Sequence, residues 1–349
     1  MHPSGFAVRS VIKNALARIL FASRLTSPYW RGRGRLSIAT FHRVLPKEDR
    51  NHYPYPGLAV TPQELDTLLS YFVSHFDCGT LASQHDRLMK NDITDRPLLA
   101  LTFDDGQFDN YKYARPLLDK YCLKASFFIP VNALEHNQLL WHDQLGFAVN
   151  TLCEQEEVGS NQLKRILIEA GLNFDGPLQA QYVVAATKRL TLPVRLRLVD
   201  QLTAAAGTLQ MPEYARPMSF AELAQLASEG HEIGSHSMTH CMMTDCNDEE
   251  LTYELTESRL KLQERLQKSK ISSFCYPNGN FDDRTVAAVV RAGYFRAVTT
   301  RWGSNMTSTN CFQLNRFDID AYRTFDSLGQ FNPDLLAFRM SGFYPVMIR

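Results

Sequence analysis

No sign of charge predominates in this chain: 37 Lys and Arg side chains meet 37 Asp and Glu side chains. That balance gives no basis for nucleic acid as the partner, which calls for a basic face. A CxxC pair is absent, and the seven cysteines, at positions 78, 122, 153, 241, 246, 275 and 311, are odd in number. A secreted disulfide framework normally has an even count, so a reducing, cytoplasmic compartment is expected. Nowhere does the chain hold the roughly 18 consecutive apolar residues that a membrane span requires. Histidine is absent after His240.

Acid is missing from residues 1–35, which carry Arg9, Lys13, Arg18, Arg24, Arg31, Arg33 and Arg35. Lys13 and Arg18 interrupt the apolar stretch of roughly 7–15 residues that a signal peptide needs. Val11, Ala15, Ile19 and Leu20 share one helical face, and two readings stand. One is a basic helix lying on anionic lipid, which makes the chain a peripheral protein at the inner face of the membrane. The other is a solvated arm, or a helix packed on the domain.

What is present is ordinary globular composition, 44% hydrophobic and 21% charged, in a length that admits one large α/β domain with insertions. Short apolar runs alternate with amphipathic segments, the pattern of parallel strands joined by helices. The strands are expected at Leu36–His42, Leu98–Phe103, Ala125–Pro130, His231–Gly234, Ser273–Tyr276, Ala297–Thr300 and near Gln313–Ile319. Thr61-Pro62-Gln63-Glu64 and Ser219-Phe220-Ala221-Glu222 are capping-box starts of helices. Leu65, Leu68, Leu69 and Phe72 form a core-facing stripe. Residues from about 135 to 216 show helical spacing without strands and read as a helical insertion between two strands. The division expected is a basic segment 1–35 and a domain 36–349 that ends in an extension from about 322.

Two local patterns carry chemistry. Leu99-Ala100-Leu101-Thr102-Phe103 runs straight into Asp104-Asp105-Gly106. Adjacent carboxylates at the end of a buried strand are costly unless a cation or a catalytic task accounts for them. Taken alone, the pair equally fits a cap on a helix over Phe108–Lys120. The second pattern is His236-Ser237-Met238-Thr239-His240, where an i, i+4 spacing puts both imidazoles on one side of a helical turn, able to ligate one metal. Taken alone, it also fits two unrelated surface histidines. Together the patterns offer two imidazoles and a carboxylate with positions left open, the layout of a catalytic metal site. Cys241 and Cys246 lie nearby, but zinc thiolate sites bring cysteines as closely spaced pairs, and they are not assigned as ligands.

Thr102-Phe103-Asp104-Asp105-Gly106 followed by His236–His240 resembles the polysaccharide deacetylase family, the NodB-homology or carbohydrate esterase family 4 domain, over roughly residues 36–320. The resemblance implies a distorted (β/α)7 barrel, with Asp105, His236 and His240 binding a divalent metal, usually Zn2+, and Asp104 acting as catalytic base. It departs in two places. Phe274-Cys275-Tyr276-Pro277-Asn278-Gly279 stands where the family commonly has Arg-x-Pro-Tyr-Gly, so Cys275 replaces the Arg that orients the base. Tyr276, Pro277 and Asn278 then form the groove wall and the oxyanion donor, and Arg316 from a later strand is the candidate to replace the lost Arg. The family's late general-acid histidine is missing, and His42 in Thr40-Phe41-His42-Arg43-Val44 is assigned that role. This resembles the bacterial exopolysaccharide N-deacetylase branch, in which a first-strand histidine takes it. First and last strands of a barrel are neighbours. His52, His75, His85, His136, His142 and His231 are expected to be structural or exposed, although Trp141-His142-Asp143 is placed to line the groove. The function expected is removal of N-acetyl groups from a glycan. An O-acetyl esterase, a non-sugar amide hydrolase and a barrel that binds carbohydrate without hydrolysing it are the alternatives.

Overall fold

Each apolar run read as a strand is a strand in the computed structural model. The structure describes residues 18, 19, 23, 26, 32–92, 94–174, 178–209, 211–267, 270–325 and 329–341. The barrel strands are β1 (Leu36–Phe41), β2 (Leu98–Phe103), β3 (Ser126–Ile129), β4 (Glu232–Ser235), β5 (Ser273–Cys275), β6 (Arg296–Trp302) and β7 (Leu314–Asp318). All pair in parallel, in sequence order from β2 to β7, and β1 closes the ring by pairing with both β2 and β7. Leu36 to Phe41 run in register with Leu98 to Phe103, while Thr40 faces Asp318 on the other side. The register slips between Leu314 and Arg316, so β6 and β7 depart from the regular ladder. The sequence pattern missed a short strand, Asp77–Gly79, on the entry half of β2, and a small ladder of Arg43–Val44 with Ala59–Val60. Two or three residues carry too little periodicity to be seen.

Alternation along the strands divides their side chains between two cores. Ile38, Ala100, Phe128, Cys275 and Val298 form one apolar cluster. Ala39, Phe41, Phe103 and Phe127 join the helices in a larger one, with Phe103 stacked between Phe41 and Phe127 at centroid distances of 5.2 Å each. The helices Pro62–His75 and Phe220–Ser228 begin in the expected capping boxes, Thr61 with Glu64 and Ser219 with Glu222. Such caps each contribute about 0.5–2 kcal/mol.

The insertion within the connection from β3 to β4 comprises the helices Trp141–Glu154, Glu156–Glu169, Ala180–Thr187 and Leu192–Ala206. Leu145, Val149, Leu163, Val183, Leu198 and Leu202 give them a core of their own, which also takes in Leu45, Tyr53 and Tyr55 from the β1 side of the barrel. The insertion is thereby fixed beside the C-terminal end of the barrel, above His42. Towards the C-terminus the helix Pro333–Met340 closes on β6, where Trp302 Nε1–H donates to the Arg339 carbonyl at 3.1 Å. Among the described residues no helix is long and apolar enough to cross a membrane. Val11 and Ala15, on the expected lipid-facing helix, lie outside the described residues.

Candidate active site

β2 ends at Phe103, and the Asp104 N–H donates to the Phe41 carbonyl at 2.9 Å, which carries the ladder one residue further. The chain then turns sharply: Asp105 takes φ of 73° and Gly106 φ of 61°. A non-glycine residue in this region is strained, and the strain persists only where the surroundings impose it. Here it turns the two carboxylates into one cleft. Neither carboxylate caps a helix: the helical run that follows begins at Phe108, whose N–H donates to the Arg216 carbonyl at 3.0 Å.

The HxxxH segment corrects the expected geometry. Residues 236–240 are not a helical turn but an irregular loop after β4, with Ser237 at φ of 68° and His240 at φ of 60°. Side-chain acceptors hold it. Glu254 receives the N–H groups of Met238 and Thr239 and the Thr239 hydroxyl, at 2.8, 3.0 and 2.7 Å. Ser235 Oγ receives the Ser237 N–H, and Ser237 Oγ receives the His240 N–H. Serines and threonine at these positions outcompete the helical bonds that the spacing invites. Both imidazoles still converge: His236 Nε2 and His240 Nε2 stand 3.5 and 3.3 Å from the same oxygen, Asp105 Oδ1. One ligand atom from each of the three lies within 4.8 Å of the others.

This donor set fits a divalent ion. His236 Nδ1 is engaged by the Cys275 carbonyl at 2.8 Å, which turns its Nε2 inward, as an outer partner does for a metal-ligating imidazole. His240 Nδ1 is buried without a hydrogen-bond partner among the described residues. Burial presses Asp105 upward, yet its bonds to His236 and His240 hold it well below the usual carboxylate range. Burial drives His240 down to about 4, leaving it neutral as a ligand must be. His236 is also buried, but Cys275 and Asp105 hold it well above its ordinary value.

Asp104 is kept apart from this set by Arg316. The buried guanidinium reaches Asp104 Oδ1 at 2.9 Å and Oδ2 at 2.8 Å, and its Nε–H donates to the Thr299 carbonyl at 2.7 Å. Cys275 is what makes room: its thiol lies 3.3 Å from Arg316 Nη2 and 3.5 Å from Asp104 Oδ2. Despite burial, Arg316 with His236 and His42 keeps Asp104 below its ordinary value. His42 follows β1, with Nε2 3.9 Å from Asp104 Oδ2 and Nδ1 3.9 Å from Asp318 Oδ1.

Tyr276, Pro277 and Asn278 need sorting. The Tyr276 N–H donates to the Val298 carbonyl and its hydroxyl to the Phe312 carbonyl, and Pro277 has no N–H. Neither supplies an oxyanion donor, and Tyr276 lines the cleft as part of its wall. Asn278 turns at φ of 57° and lines the cleft, followed by Gly279 at 73°. A Cβ on Gly279 would stand 2.0 Å from Thr300 Oγ1, so the turn cannot accept another residue.

The cleft has a volume of about 710 Å³, in the size range of small-molecule sites. Trp141 and His142 line it, with His142 buried and held down at about 4 by that burial. Asp143 instead points into a buried network, where it accepts from Tyr53 at 2.8 Å and shares Arg43 with Asp109. One arginine faces two carboxylates there, and burial pushes both up to about 6 against its pull. Lys188 also enters the cleft and donates to Asn278 Oδ1 at 2.6 Å. Sequence reasoning missed Lys188 and Glu254, because a lysine near a helix end and a glutamate within a helix carry no local signal. Cys241 and Cys246 face each other at 3.0 Å and are not among the grouped ligands.

A family model described as polysaccharide deacetylase matches residues 91–166 and 203–297, and the interruption falls within the helical insertion. YxkH of Bacillus subtilis is 19% identical over 219 residues, 63% of this chain. The match spans 50% of YxkH, about half its length. Among solved structures, the Streptococcus pyogenes deacetylase PplD, in complex with acetate, aligns with a TM-score of 0.58 at 17% identity, covering 87% of this chain and 98% of that one. A de-N-acetylase from Aggregatibacter actinomycetemcomitans aligns with a TM-score of 0.53 at 14% identity, covering 84% and 98%.

Proposed function

Because the chain belongs to the polysaccharide deacetylase family, we propose that it is a metal-dependent hydrolase that removes N-acetyl groups from a glycan. The observation that carries this reading is the division of labour between adjacent carboxylates. Asp105 shares one oxygen with two imidazoles, while Asp104 is held by an arginine outside that set.

Asp105, His236 and His240 would hold the ion, zinc being the family's usual metal. When bound, such an ion supplies Lewis acidity toward an acyl oxygen and makes water a better nucleophile at neutral pH. Asp104 accepts the proton of the attacking water. Its two contacts to Arg316 keep it ionised and fix its orientation, so the free lone pairs face the cleft. The backbone N–H of Asn278 is the donor assigned to the developing oxyanion, since the amides of Tyr276 and Gly279 are already engaged.

His42 protonates the departing nitrogen, and its Nδ1 lies 3.9 Å from Asp318 Oδ1, which orients the ring. This acid favours an amide over an ester as the bond broken. An amine leaves only once protonated, whereas an alkoxide depends less on such help. One of the fold neighbours is itself a de-N-acetylase. The basic segment 1–35 is proposed to rest on anionic lipid, keeping the enzyme at the cytoplasmic face of a membrane.

The test is acetate release from matched N-acetylated and O-acetylated oligosaccharides. Release from the N-acetylated substrate, abolished in Asp104→Asn, is the expected result. Release from the O-acetylated substrate alone would replace the amide with an ester.

A further inference from the structure

We infer that the helical insertion is a clasp on the metal-binding loop, with Trp141 the positioning residue for His240; the inference rests on the reading of Asp105, His236 and His240 as an ion site. Two contacts from the insertion grip segment 240–245 at its two ends. Trp141 Nε1–H donates to the His240 carbonyl at 3.3 Å. Arg195, fully buried, reaches Asp245 Oδ2 at 2.5 Å. The two grips are joined, because the Arg195 guanidinium lies 5.3 Å from the centre of the Trp141 ring. Cation, indole and carboxylate therefore form one unit spanning two insertion helices and the loop.

His240 needs such a restraint. Its φ of 60° is a conformation that a residue with a side chain keeps only when its neighbours impose it. From the barrel side, Glu254 and Ser237 bind the amides of residues 238–240. The carbonyl of His240 and the carboxylate of Asp245 are bound from the insertion. His142 adds a lateral contact, its ring 5.1 Å from the His240 ring. That turn is in turn pinned to the barrel side by the Tyr55 hydroxyl, which donates to the His142 carbonyl at 2.6 Å. The second imidazole of the ion site is thus oriented by a part of the chain outside the strands that carry the ligands.

Trp141→Phe tests this, since it keeps an aromatic ring near Arg195 while removing the N–H together with part of the indole. The full-length protein, stripped with chelator, is titrated with Zn2+ alone by calorimetry, and the melting temperature of the stripped protein is measured in parallel. The expected result is affinity weakened by roughly 10–100-fold, the usual effect of losing an outer-shell partner, with melting unchanged. Asp245→Asn weakens it in the same direction and carries the test alone should W141F lose its fold. Wild-type protein that binds zinc, with both variants binding equally tightly, overturns the clasp and leaves the ion site standing. Wild-type protein that binds no zinc overturns both.

Discussion

Arg316 and Asp104, 212 residues apart, meet through two contacts of 2.9 and 2.8 Å in the buried floor of the cleft. The pair is fully desolvated, so removing either charge leaves the other uncompensated, at a cost of about 3–5 kcal/mol. Arg316→Met is therefore expected to lower stability by that order in chemical denaturation and to abolish turnover. Removing both charges in Asp104→Asn with Arg316→Met should recover much of the stability and none of the activity. A double variant no more stable than Arg316→Met alone contradicts the pairing.

His42 gives a second expectation. General acid assistance is worth about 10²–10⁴-fold, so His42→Ala should lose turnover by that factor with its metal content intact. The loss should shrink on a substrate whose leaving group needs no proton, such as an activated aryl acetate. Equal losses on amide and activated ester would assign His42 to binding instead.

These two residues also show how far the sequence could be read. The alternation of apolar runs located all seven barrel strands, and the ring closure that brings Thr40 beside Asp318 follows from strand order. That neighbourhood is why a histidine after the first strand could be placed beside Asp104. Arg316 was reachable because Cys275 left a gap in a recognisable motif. The loop over residues 236–240 was not, since an i, i+4 spacing describes a helix equally well, and the residues that prevent one act through side-chain bonds to Ser235, Ser237 and Glu254. The sequence leaves His142 between a structural and a groove-lining reading, because burial inside a cleft and burial inside a core look alike there.

Proton release should accompany ion binding. His236 lies well above its ordinary value without a metal, held there by Cys275 and Asp105 against burial, so a ligating ion must displace its proton. Calorimetric titration with Zn2+ in buffers of different ionisation enthalpy should show uptake by the buffer of up to one proton per ion at neutral pH. In His236→Gln this uptake should disappear with the binding. Binding without any buffer dependence contradicts the assignment.

A separate expectation concerns acid stability. Burial holds His231 down at about 4, with Lys124 adding to it, and its Nδ1 accepts the Ala125 N–H at 3.2 Å. The folded-state value is depressed below the ordinary 6.5, so the unfolded chain binds the proton first. Stability from this group is complete above pH 6.5 and falls as pH drops toward 4. In His231→Gln that part of the pH dependence should flatten, as read from denaturant midpoints between pH 7 and 4. An unchanged slope would show that His231 takes up its proton in the folded protein as readily as in the unfolded chain.

The central claim is that one divalent ion sits among three side chains drawn from the turn after β2 and the loop after β4. Anomalous scattering at the zinc edge from crystals grown with Zn2+ tests it most directly. The account requires a single strong peak bounded by Asp105, His236 and His240, with Asp104 still on Arg316. A cleft without a peak, or an ion held instead by the separate group Asp119, Glu229 and His231, would contradict it.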